Sequence, residues 1–214
     1  MELNKLGLKY LTDKSVTHIF NDRSFLDIYE NYFSKLKNKK VNLLEIGVLN
    51  GASLKVWTEY FSTDSRIIGL DIDPSKKIFE KSNVEIVIGS QNDSLLIENL
   101  KKKYVDGFDI IIDDGSHLNE LTIESFHLLF DSVKPGGFYV IEDTQCTYGE
   151  EWWKDFDRLV SEWPGMNLNS VPFKNKRSDF EIFLKEIIET LDRKNGNVFS
   201  LHFYSETIII EKIK

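Results

Sequence analysis

Cysteine is nearly missing from this chain: Cys146 stands alone among 214 residues. A lone cysteine excludes an internal disulfide and any multi-cysteine zinc site. It leaves a single thiol close behind Glu142 and Asp143, with no base implied for it by spacing. Long apolar runs are missing too. None approaches the roughly 18 to 20 residues needed to span a membrane. The opening Met1-Glu2-Leu3-Asn4-Lys5 lacks the basic-then-apolar layout of a signal peptide. A cytoplasmic protein is therefore the expectation. Positive charge is in deficit, with a formal net charge of -8. Nucleic acid and anionic membrane both need a basic face, so neither is expected as a partner. Lysines from Lys35 to Lys40, and Lys174 to Arg177, read as solvated surface.

What is present is a strand and helix alternation. The length fits one domain, residues 1–214, with a real core. Val41 to Ile46 reads as a short buried strand ending at Gly47. Gly51 to Phe61 follows as a helix, with Leu54, Trp57 and Phe61 on one face. Arg66 to Leu70, Val84 to Ile88, Phe108 to Ile112 and Phe138 to Ile141 read as further strands. Asp93 to Tyr104 and Leu118 to Phe130 read as helices between them, and Lys134 to Gly137 as a turn. This order predicts a mostly parallel α/β sheet with helices on both faces. Ser178 to Arg193 is a helix with an apolar stripe. Val198 to Tyr204 and Thr207 to Ile213 are joined only by Ser205-Glu206, so they must form an antiparallel hairpin. Residues 1–40 read as a helical segment, with exposed aromatics near Tyr29 to Phe33 available for a dimer contact or a lid. Residues 149–177 have weak periodicity and three tryptophans. They read either as a lid or substrate insertion or as a packed helix and loop.

Two acidic clusters carry the chemistry. Asp113-Asp114-Gly115-Ser116-His117 ends one strand, and Glu142-Asp143 ends the next. Polar groups at such C-terminal ends face the edge where open α/β sheets bind ligands. Carboxylates and a histidine delivered there suggest a hard cation and a general base. The bland alternative makes Asp113 and Asp114 caps for the next helix, and His117 a surface residue on its first turn. His127 reads as structural, and His18 and His202 carry less signal.

Three further positions suggest a nucleotide-like ligand. Glu45-Ile46-Gly47 with Asn50-Gly51 is a reduced glycine turn between strand and helix. Asp71 ends the second strand, where an acidic residue can accept from ribose hydroxyls; a turn cap beside Asp73-Pro74 is the alternative. Gly89-Ser90-Gln91-Asn92-Asp93 follows the third strand. Its amides can read an adenine edge, while Asn92 or Asp93 caps the next helix.

In this order these motifs, with Lys134-Pro135-Gly136-Gly137, resemble the class I S-adenosylmethionine-dependent methyltransferases. The resemblance implies a Rossmann-like seven-stranded sheet, mostly parallel, with a C-terminal antiparallel hairpin. More narrowly, Asp113 to His117 and Tyr139 to Asp143 are similar to the metal-dependent sugar O-methyltransferases of macrolide tailoring. Thr12-Asp13-Lys14 and Leu201 to Tyr204 share in that similarity, which weakens over residues 149–177. It implies magnesium (or manganese) at Asp114, Glu142 and Asp143, and His117 as the base. It implies cofactor contacts at Thr12, Glu45, Gly47, Asn50, Ser53, Asp71, Gln91, Asn92 and Asp114. The physics agrees: magnesium prefers oxygen ligands, and a cation beside a neutral imidazole can activate a poor hydroxyl nucleophile.

The implied reaction is methyl transfer from S-adenosylmethionine to a hydroxyl of a sugar or glycosylated small molecule. A catechol-like or other vicinal diol is an alternative acceptor, and a non-catalytic S-adenosylmethionine-binding module is another reading. A nicotinamide dehydrogenase is disfavoured because the glycine turn is wrong for a pyrophosphate. A homo-oligomer is compatible with all of them.

Overall fold

A computed structural model of the chain describes residues 1–155, 174–194 and 196–214. Seven strands make one sheet: β3 (Asn42–Ile46), β4 (Arg66–Asp71), β5 (Val84–Ile88), β6 (Phe108–Asp113), β7 (Val133–Glu142), β8 (Val198–Tyr204) and β9 (Thr207–Lys212). Their order is β5-β4-β3-β6-β7-β9-β8. The first five are parallel, and β9 pairs antiparallel with both β7 and β8. The expected Rossmann-like architecture is therefore present, hairpin included. β3 is buried along its whole length, as expected of a strand covered on both faces.

Strand alternation divides the core in two. Leu43, Ile110, Ile112, Phe138 and Val140 face one side. There they meet α1 (Glu2–Tyr10), α3 (Phe25–Phe33) and α4 (Ala52–Tyr60) through Leu3, Phe25, Tyr29, Phe33 and Trp57. Leu44, Ile111, Tyr139 and Ile141 face the other side. They meet α5 (Ser94–Lys103), α6 (Asn119–Leu129) and α7 (Arg177–Arg193) through Leu100, Phe126, Leu129, Phe180 and Phe183. Removing one such ring to alanine costs about 3–5 kcal/mol, through lost burial and a cavity.

Three expectations need correction. Residues 1–40 are not helical throughout. A short α2 (Asp13–Val16) is followed by a two-stranded hairpin, β1 (Ile19–Phe20) with β2 (Arg23–Ser24). Its turn residues Asn21 and Asp22 both have positive φ, at 50° and 62°, the conformation that tight two-residue hairpins demand. Second, Tyr29 and Phe33 are fully buried, so they build the core rather than an exposed dimer or lid surface. Third, Lys134 to Gly137 lie inside β7, where the pairing with β6 shifts register between Phe108 and Ile110. Gly136 takes φ 72° there; the irregularity hid the strand. The expected lid at 149–177 falls mainly on residues outside those described. Among the described residues, no helix is long and apolar enough to cross a membrane.

Candidate active site

The site forms where β3, β4, β6 and β7 end side by side. Gly47 makes that closeness possible. Its φ is 87°, and an added Cβ would lie 2.0 Å from the Asp114 carbonyl oxygen. The Asp114 amide donates to the Ile46 carbonyl at 3.0 Å. The turn after β3 and the turn after β6 thus touch through backbone, which only glycine permits.

Alternation then sorts the carboxylates. Asp113 faces α6. It accepts hydrogen bonds from Gln91, Ser125 and Tyr139, and burial pushes its carboxyl up to about 6. Gln91 also accepts from the Ser116 amide at 3.0 Å. Its side chain therefore braces the turn that carries His117. Neither Asp113 nor Asp114 caps α6, whose N-cap is Leu118 without a side-chain bond.

Glu45, Asp114 and Glu142 converge on the ammonium of Lys14, whose side chain is 1% exposed. Lys14 Nζ donates to Glu142 Oε2 at 2.7 Å and to Asp114 Oδ2. Glu45 Oε1 lies 3.4 Å away. Tyr29 donates to the other Glu142 oxygen at 2.7 Å. Three carboxylates thus share one ammonium. Burial opposes the Lys14 charge, yet Asp114, Glu142 and Glu45 together hold its pKa well above the usual lysine range. Burial raises Asp114 and Glu142 above the carboxylate range, against the pull of Lys14. It pushes Glu45 up to about 7. One positive charge cannot balance three buried negative ones, so the acids hold protons more tightly.

Asp143 points elsewhere. Its φ of 54° breaks the strand alternation and turns its carboxylate toward two imidazoles. His117 Nε2 lies 3.5 Å from Oδ2, and His18 Nδ1 lies 3.7 Å from Oδ1. Burial works against its ionisation, but His117 and His18 hold its pKa below the usual range. His18 also meets Glu206 at 3.1 Å. Burial disfavours the His18 cation, but Glu206 and Asp143 raise its pKa to about 9. Asp114, His117 and Asp143 bring ligand atoms within 4.8 Å of one another, as do His18, Asp143 and Glu206. Oxygen-rich donors beside uncompensated negative charge suit a hard divalent cation. Asp114 and Asp143 stand close enough to hold one together, with His117 beside them, while Glu142 is turned toward Lys14 and Tyr29.

The other expected residues line the neighbouring turns. Asp71 accepts from the Val48 amide at 2.9 Å and from the Asp73 amide at 2.9 Å. Beside it Leu49 and Ile72 are 65% and 74% exposed, apolar surface suited to a flat base. Asp73 caps the short helix that follows, and Asp71 closes the turn before it by its bond from the Asp73 amide, so its turn-capping role is present too. Asn50 accepts from the Ala52 amide, and Ser53 and Trp57 both donate to Glu45 Oε2. Asn92 donates to Glu124, and Asp93 caps α5. Thr12 is buried at the start of α2. His127 is exposed on α6, with edge contacts to Phe126 and Phe183. His202 sits on β8 against Ser200 and Tyr32. A cavity of about 430 Å³ lined by Tyr10, Gly51, Lys55, Glu59 and Phe79 lies outside this carboxylate cluster. Lys14, His18, Tyr29 and Glu206 were not among the expected site residues. The only signal for Lys14 was its place in Thr12-Asp13-Lys14.

This geometry has relatives. The demethylmacrocin O-methyltransferase of Streptomyces fradiae is 33% identical, over 99% of this chain and 53% of that protein. The chain has the Rossmann-like fold of the class I S-adenosylmethionine-dependent methyltransferases. The mycinamicin VI 2''-O-methyltransferase of Micromonospora griseorubida is 30% identical, over 99% of this chain and 52% of that one. A solved structure of the MycE methyltransferase from the mycinamycin pathway, in complex with Mg, SAH and mycinamycin VI, superposes with a TM-score of 0.77. It is 29% identical, over 100% of this chain and 55% of that chain. The chain spans about half the length of the curated relatives it matches. No protein-family model matches it.

Proposed function

We propose that this chain is the catalytic domain of a metal-dependent O-methyltransferase acting on a hydroxyl of a sugar or glycosylated small molecule. The observation that carries the reading is the cluster of Asp114, His117 and Asp143. It stands beside the turns of Glu45, Gly47 and Asp71. The similarity to enzymes named for macrolide and rhamnosyl tetracenomycin O-methylation supports a sugar acceptor.

Asp114, Asp143 and, once freed from Lys14, Glu142 would hold magnesium or manganese. Asp71 would accept from the cofactor ribose, with Leu49 and Ile72 flanking the base. Thr12, Asn50, Ser53, Gln91, Asn92 and Asp114 are offered as the remaining contributors to that cofactor cradle, and Glu45 and Gly47 shape it. When bound, the cation lowers the pKa of a nearby sugar hydroxyl and S-adenosylmethionine supplies the methyl group. His117 takes the hydroxyl proton on its ring nitrogen. Asp143, 3.5 Å from that nitrogen, stabilises the imidazolium so formed. The acceptor must lie in line with the methyl group, which positioning alone provides. Asn175 fixes the His117 backbone, donating to its carbonyl at 2.7 Å.

The test is a panel of nucleotide sugars, glycosides and catechols incubated with S-adenosylmethionine and magnesium, read by product mass. Methylation of glycosides supports the reading. Methylation of catechols alone, or of nothing in the presence of tight cofactor binding, would replace it.

A further inference from the structure

Glu142 is needed as a metal ligand in the proposed function, yet neither of its oxygens is at leisure. Tyr29 donates to Oε1 at 2.7 Å, and Lys14 donates to Oε2 at 2.7 Å. Lys14 also takes Asp114 Oδ2. A divalent cation and the Lys14 ammonium therefore compete for the same two carboxylates. Two cations within a few ångströms repel strongly in a buried site, so one must yield.

A second observation says where Lys14 would go. Glu45 Oε1 is fully buried, and among the described residues nothing donates a hydrogen bond to it. Its sister oxygen Oε2 is engaged by Ser53 and Trp57, so the carboxylate is clamped with Oε1 facing Lys14 Nζ at 3.4 Å. A buried carboxylate oxygen without a donor costs free energy. Closing that gap to the roughly 2.8 Å of a charge-assisted bond would satisfy it and draw Nζ off Glu142.

We propose that Lys14 is a positioning residue that holds Glu142 and Asp114 in reserve and passes to Glu45 Oε1 when a divalent cation takes them. Lys14 thereby sets metal affinity, and Glu45 is the receiving group. The inference rests on the metal reading of Asp114 and Glu142. It concerns a lysine carried on the N-terminal segment, far in sequence from both acids.

The test reads Mn2+ binding by electron paramagnetic resonance on the purified chain, without turnover. Lys14→Met removes the competitor, so Mn2+ should bind about tenfold tighter or more. Glu45→Gln removes the receiving charge and should weaken Mn2+ binding severalfold. In the Lys14→Met background the greater part of that Glu45→Gln loss should vanish, because there is no ammonium left to receive. A plain loss of local negative charge would instead persist in full, and that outcome overturns the proposal. So does unchanged or weaker Mn2+ binding in Lys14→Met. A merely structural Lys14 would weaken metal and cofactor binding together. If Lys14→Met does not fold, Glu45→Gln alone decides: unchanged Mn2+ affinity overturns it. If the wild-type chain binds no Mn2+, the metal reading fails and takes this inference with it. If it binds Mn2+ and Asp114→Asn does not, the metal reading stands and the Lys14 variants judge the inference alone.

Discussion

His117 and Asp143 face each other at the end of the sheet, with Nε2 3.5 Å from Oδ2. They come from consecutive parallel strands, each past its last residue, and each has a left-handed backbone, φ 56° and 54°. Such a conformation is unusual for residues with a side chain. Here it aims the imidazole and the carboxylate at each other. The pairing divides labour in the proposed reaction: the imidazole takes the proton and the carboxylate stabilises the charge.

The first prediction follows from that division. His117→Ala should lower kcat by roughly 100-fold or more, in line with general-base contributions. Asp71-dependent cofactor binding should be unchanged by calorimetry. If the variant instead loses Mn2+, His117 is a ligand and the base lies elsewhere.

Chelation is the second test. EDTA should abolish turnover, and magnesium or manganese should restore it, because oxygen donors accept either. Binding of S-adenosylhomocysteine should largely survive the chelator. Full turnover after rigorous metal removal would refute the metal-dependent mechanism.

The cofactor gives the third. S-adenosylhomocysteine should raise the melting temperature, since a ligand of the native state stabilises by mass action; NAD should not. Asp71→Ala should weaken S-adenosylhomocysteine binding, by losing both the ribose acceptor and the bond that fixes the Val48 amide. An unchanged dissociation constant would remove Asp71 from the cradle.

A fourth prediction concerns Gly47. Its φ of 87° and the 2.0 Å approach of an added Cβ to the Asp114 carbonyl leave no room for a side chain. Gly47→Ala should destabilise the fold by roughly 2–4 kcal/mol through strain and overlap, read as a lowered urea midpoint. A shift under about 0.5 kcal/mol, the size of ordinary surface changes, would mean the two turns separate freely.

The fifth concerns Cys146. Burial, reinforced by the nearby Asp143, pushes its thiol well above the usual cysteine range. A raised pKa leaves less thiolate at any given pH, and thiolate is the reactive form. Cys146 should therefore resist alkylation by iodoacetamide at pH 8 in the native protein and react readily in denaturant. Fast native labelling would reopen a nucleophilic role.

Much of this protein was legible in the chain. The apolar runs of β3, β4 and β6 announced themselves because strands covered on both faces need no polar alternation. Ser205-Glu206 was too short for anything but a hairpin. Asp114, His117 and Asp143 could be placed at one edge because strand ends in a parallel sheet share an edge. These are local rules, and they act over a few residues.

Other features obey no local rule. Which way Glu142 and Asp143 point depends on strand phase and on one left-handed residue, not on their adjacency. Asp113 and Asp114 are neighbours too, yet one braces α6 and the other meets Lys14. Lys14, His18, Tyr29 and Glu206 reach the site from the two ends of the chain; Lys14 and Glu142 are 128 positions apart. A lone lysine or histidine in sequence carries no sign of what will face it. Packing α1 and α3 on one face and closing β9 against β7 decided that. The sequence by itself determined the sheet, its hairpin and the edge where chemistry would gather. Only the tertiary structure decided which charges meet, because that depends on contacts between segments that no spacing encodes.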